Sequence, residues 1–152
     1  MKKCLWPCIS LCLYLMTSIA SAETINIPGM AGISDGSFYC AVDLTSGEKG
    51  TVGPAAQSCE MAYSLPVPVG RTLDSVKVQY ADGVGHITVY VATNRIEPSM
   101  GVIILSSATT KIYSSSPASL TVPLGYSVWD GDTYFVHVET DAIIQGISAT
   151  YH

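Results

Sequence analysis

The chain has 152 residues, a formal net charge of −5, and a composition that is 48% hydrophobic and only 12% charged. That length suits one domain with its own core and is short for two. An acidic, lysine-poor balance argues against nucleic acid and anionic membrane surfaces as partners.

The first 22 residues read as an export signal. Lys2 and Lys3 precede an apolar run over 5–19, and Ala20-Ser21-Ala22 has the small-x-small form of a cleavage site. The run is shorter than the ~20 residues a spanning helix needs. Leu11 stands before Cys12, where a lipid-attachment site would carry a small residue. The expectation is a signal peptide over 1–22 and a mature domain over 23–152, secreted or periplasmic and not inserted in a membrane. Cleavage removes Cys4, Cys8 and Cys12 with the two lysines. It leaves five basic against 12 acidic residues, a net charge of −7, and two cysteines, Cys40 and Cys59. In an exported chain such a pair predicts a disulfide. It would join two neighbouring strands, and closing a loop of this size contributes roughly 3 kcal/mol.

Taken in order, the mature chain predicts short strands separated by turns. An edge strand is expected over 24–27 and strands over 37–44 and 57–65, with a loop over 45–56 interrupted by Pro54. Over 73–92 two runs alternate with period two: Val76, Val78 and Tyr80, then Ile87, Val89 and Val91. Ala81-Asp82-Gly83-Val84-Gly85 between them has the chemistry of a tight turn, so these runs predict a hairpin. A connector follows over 94–100. The apolar run Val102-Ile103-Ile104-Leu105 predicts a strand buried on both faces, and 114–117 a surface loop. Pro123 weakens a short strand over 120–124. Tyr134, Val136 and Val138 alternate with Phe135, His137 and Glu139, and Ile143, Ile147, Ala149 and Tyr151 are expected on one face of the last strand. About nine β segments without a 3.6-residue period predict an all-β fold, a single antiparallel β-sandwich of which the jelly roll is one form, with one disulfide.

Motifs for catalysis are missing. The sequence has no Gly-x-Ser-x-Gly elbow, no His-Glu-x-x-His and no phosphate-cradling glycine loop, so no enzyme is expected and no catalytic residue is assigned. His86, His137 and His152 lack the close spacing of a ligand motif, so neither a metal nor a cofactor is expected. Asp82-Gly83 and Asp130-Gly131-Asp132 offer carboxylates to Ca²⁺, yet Asp-Gly is also ordinary turn chemistry. Aromatic residues are the more informative class, because exposed rings stack on sugar faces and fill protein interfaces. The usual burial of large aromatics makes Trp129 a cap on the core. The alternative places Trp129 and Tyr126 on a binding loop over 125–132, with Asp130 and Asp132 accepting hydrogen bonds from sugar hydroxyls. A second candidate surface uses Tyr90, His86 and His137, which point away from the apolar faces of their strands.

Residues 65–92, LPVPVGRTLDSVKVQYADGVGHITVYVA, resemble a recurring segment of small exported bacterial β-sandwich proteins of largely uncharacterised function. Residues 143–151, IIQGISATY, resemble their closing strand. The resemblance implies the sandwich and export, and carries over no site residue. The functional expectation is a non-catalytic binding or surface module for a glycan or protein ligand. A structural subunit of an envelope or secreted assembly is the alternative, and a small extracellular hydrolase ranks third.

Overall fold

The computed structural model describes residues 21–34, 40–43, 48–51, 59–81, 85–97, 100–112 and 117–152. Side chains at 40–43, 48–51, 95–97 and 100 are outside that description. The expected signal sequence, apart from its last two residues, lies outside it as well.

Among the described residues eleven strands run in chain order: β1 (Glu23–Pro28), β2 (Ile33–Ser34), β3 (Cys40–Asp43), β4 (Glu48–Thr51), β5 (Cys59–Leu65), β6 (Thr72–Ala81), β7 (Gly85–Glu97), β8 (Met100–Ile112), β9 (Ala118–Ser127), β10 (Asp132–Thr140) and β11 (Ile143–Tyr151). They form two antiparallel sheets. The first has the order β3-β4-β11-β6-β9, with β1 also paired to β11; the second is β2-β5-β10-β7-β8.

The two alternating runs over 73–92 are not a hairpin. β6 pairs with β11 and β9 in the first sheet, while β7 pairs with β10 and β8 in the second. Their apolar faces meet across the core instead of lying side by side: Val76 and Val78 on β6, and Ile87, Val89 and Val91 on β7, are fully buried. Period-two alternation demands a covered face, and either arrangement supplies one. β10 and β5 complete the inner face of the second sheet with Tyr134, Val136, Val138, Met61, Tyr63 and Leu65.

Other elements also differ from expectation. A strand, β4, lies within the expected 45–56 loop, β7 extends through most of the expected connector, and β8 runs on to Ile112. The run at 102–105 is not buried on both faces: Val102 is 61% and Ile104 58% exposed, because β8 is the last strand of its sheet. Pro123 sits in β9, also an edge, where no further ladder bond is needed. In β11 a bulge between Ile144 and Gly146 shifts the inward set, so Ile144 is buried while Ile143 is only partly covered. Cys40 opens β3 in the first sheet and the buried Cys59 opens β5 in the second, and these strands approach one another. A bond between them would therefore join the two sheets, not two strands of one sheet.

The ends of the described sandwich meet in a ladder. β1 lies antiparallel on β11, with Glu23 opposite Tyr151. The Glu23 carboxylate accepts from the Tyr151 hydroxyl at 3.1 Å and pairs with Arg71, whose guanidinium lies 5.5 Å from the centre of the Tyr151 ring. Where β1 turns away, Gly29 packs so closely on the Ile144 carbonyl that a Cβ would collide with it. The buried Tyr63 hydroxyl donates to the Gly29 carbonyl at 3.0 Å. Burial pushes the Tyr63 phenol well above its ordinary pKa.

Candidate functional site

The turn joining β9 to β10 is built from the inside out. Val128 is buried, and its backbone pairs with the neighbouring turn: its N–H donates to the Arg71 carbonyl at 2.8 Å and its carbonyl accepts from Gly70 at 3.0 Å. Trp129 follows, and then Gly131, whose φ of +82° only glycine adopts freely. The anchor is Tyr134, whose ring is buried in the core. Its hydroxyl accepts the Trp129 backbone N–H at 2.9 Å and donates to Asp132 Oδ2 at 3.2 Å. Burial chiefly, then the adjacent carboxylate, raises the Tyr134 pKa, while the Trp129 N–H pulls it partway back. The phenol therefore stays protonated and keeps both roles.

With its backbone fixed, the Trp129 side chain points outward and is 59% exposed. The core-cap reading of this residue is thus corrected. Val128 and Tyr134 are the residues of this turn region that enter the core. Tyr126 is half-buried, with its ring 6.1 Å from that of Tyr134, and Asp130 is exposed. The hydrogen bonds and ring contact link Trp129, Tyr126 and Asp132 through Tyr134. Tyr126 also lines a cleft of about 250 Å³ between β8 and β9, with Leu105, Ser106, Pro123, Leu124 and Gly125. Tyr134 is a core residue as its alternation implies, but the role of its hydroxyl and the β8 wall of the cleft were not singled out from the sequence. The first was findable, since a buried tyrosine two residues from an aspartate needs a partner for its hydroxyl.

Tyr90 belongs to a different surface. It lies opposite His137 in the β7–β10 ladder, five residues along β10 from Asp132, or roughly 17 Å at strand rise. The two rings meet edge to face at 5.8 Å between centroids. His86 lies on the outer side of the same sheet, so the second candidate surface shares one sheet face. Asp82 and Gly83 lie outside the described residues. No described helix is long and apolar enough to cross a membrane.

No family model matches the sequence, and no curated protein matches it. Solved structures do match its fold. The chain superimposes on a GH26-CBM35 β-(1,4)-mannanase of Podospora anserina with a TM-score of 0.56 at 14% identity, over 85% of this chain and 28% of that one. The CBM36-1 domain of a xylanase from the hindgut metagenome of Trinervitermes trinervoides gives 0.50 at 10% identity, over 84% and 96%. The C-terminal CBM6 of LamC, a laminarinase of Zobellia galactanivorans, gives 0.50 at 13% identity, over 84% and 99%. The fold is that of β-sandwich carbohydrate-binding modules.

Proposed function

We propose that this chain is an exported, non-catalytic module that binds a glycan at the β9–β10 end of the sandwich. The observation that carries the reading is the exposed Trp129 indole on a turn held by a buried tyrosine. An aromatic plate that is exposed yet rigidly based can stack on the C–H face of a sugar with little ordering cost. Asp130 and Asp132 provide acceptors beside it, and the Tyr126 cleft provides room for a neighbouring sugar unit. The fold agrees with this reading, since its structural neighbours are mostly binding modules. Trp129, Tyr126, Asp130 and Asp132 form the proposed site; Tyr90 does not belong to it.

The hosts of the structural neighbours make β-mannan, xylan and laminarin the first probes. Titrated into the mature protein, at least one should quench or shift the emission of Trp129, the sole tryptophan outside the signal segment. Flat titrations across a broad glycan panel would refute the reading. Export is tested by intact mass, which should begin at Glu23. The second reading, an assembly subunit, is supported by the exposed Val102 and Ile104 on the edge strand β8. A defined oligomer in solution with no glycan response would favour it.

A further inference from the structure

The outer face of the second sheet carries a grouping that neither strand pairing nor glycan binding explains. Glu60 on β5 and Glu139 on β10 stand directly opposite one another in the antiparallel ladder. Like charges in that position destabilise a sheet. His137, two residues before Glu139 on the same strand, projects from the same face. The Nε2 atom of His137, one carboxylate oxygen of Glu60 and one of Glu139 all lie within 4.8 Å of one another. His137 Nε2 is shielded from solvent and has no hydrogen-bond partner among the described residues; Glu60 Oε2 lies 3.5 Å from it. The Tyr90 ring packs edge to face on the imidazole, which fixes the ring plane.

We propose that Glu60, His137 and Glu139 bind a divalent transition-metal cation, Zn²⁺ being the best fit among common ions. One imidazole and two carboxylates make a nitrogen-and-oxygen donor set that suits zinc better than calcium or magnesium, which take oxygen ligands alone. Ligand atoms about 2.1 Å from a tetrahedral zinc lie about 3.4 Å apart. The His137–Glu60 separation of 3.5 Å already matches, and the Glu139 oxygen lies within 4.8 Å of both. The ion would neutralise the opposed glutamates and occupy the unpartnered Nε2 lone pair. Three protein ligands leave a fourth position open to water or to a ligand oxygen. Spacing along the chain cannot reveal such a site, because Glu60 lies on a strand remote in sequence and joins the others only through the β5–β10 register.

The test is calorimetric titration and thermal melting of the metal-stripped mature protein with Zn²⁺, Ni²⁺, Ca²⁺ and Mg²⁺. One equivalent of Zn²⁺ should bind, Ni²⁺ should compete, and saturating Zn²⁺ should raise Tm by about 5 °C or more. His137→Gln and Glu139→Gln, each checked for native circular dichroism, should weaken binding at least about tenfold, while His152→Gln should leave it unchanged. Absence of a zinc isotherm, an equal response to Ca²⁺, or undiminished binding in both His137→Gln and Glu139→Gln would overturn the proposal. Because the readouts are metal affinity and melting, the result is independent of whether a glycan binds at Trp129.

Discussion

Trp129→Ala separates a binding residue from a core residue, and the structure sets the expected size of each effect. A whole tryptophan presents about 250 Å², so 59% exposure leaves about 100 Å² covered by protein and about 150 Å² open. At about 25 cal/mol per Å², the covered part is worth at most ~2.5 kcal/mol, and the retained Ala methyl and the compactness of the unfolded chain reduce this to roughly 1–2. The bond from the residue 129 N–H to Tyr134 is made by backbone and survives the substitution. A sugar covering half of the open indole surface would bury about 75 Å², or roughly 2 kcal/mol, equivalent to about a thirtyfold loss of affinity when the ring is removed. Urea unfolding followed by circular dichroism gives the first quantity, and calorimetric titration with the responding glycan gives the second. A stability loss of ~3–5 kcal/mol would mean that the indole is core. Unchanged affinity with native stability would mean that the site lies elsewhere. Either result refutes the argument.

Tyr134→Phe removes a buried hydroxyl that accepts from Trp129 and donates to Asp132; it should cost about 1–2 kcal/mol and weaken glycan binding without touching the ligand, as melting and titration will show. Cys40 and Cys59 should map as one intrachain cystine by non-reducing peptide mass spectrometry, and replacing both with serine should lower stability by about 3 kcal/mol, or about 10 °C in Tm. Two free thiols in freshly exported protein would refute that expectation. Tyr63 and Tyr134 have phenol pKa values raised by folding, so their contribution is fully present below the ordinary tyrosine value of 10.0 and declines as pH rises beyond it. Urea midpoints should therefore fall above about pH 10, and Tyr63→Phe should flatten that decline.

The sequence discloses the sandwich because alternation is a local property. Tyr134, Val136 and Val138 must face one way whatever pairs with their strand, and they do. Which sheet a strand joins is not local. Val76–Tyr80 and Ile87–Val91 carry the same pattern whether they pair side by side or face each other across the core, so the hairpin expectation failed there. The run from Val102 to Leu105 failed for a related reason: its apolar character is consistent with burial, but its position at a sheet edge is decided by the whole topology. At the candidate site, the aromatic and acidic residues of the 125–132 turn were readable by type. The outward aim of Trp129 was not, because the turn's backbone is set by the burial of Val128 and by the bond from the Trp129 N–H to the Tyr134 hydroxyl.

The pairing of β1 with β11 also determines how the sandwich responds to force. Residues 23 and 151 are opposite partners in an antiparallel ladder, so a pull applied between these two residues loads that ladder from one extremity. Its bonds then break one after another, in the manner of a zipper, instead of sharing the load in shear. The first resistance is the Glu23 latch to Arg71 and Tyr151. Once it opens, β1 can peel from β11 while β11 keeps its other edge on β6. A polymer ligand held at the β9–β10 turn and pulled against residue 151 would load a different path, from β9 through β6 to β11, which leaves β1 out and does not begin with this peeling step. Tension between such a ligand and residue 151 should therefore meet more resistance than tension between residues 23 and 151.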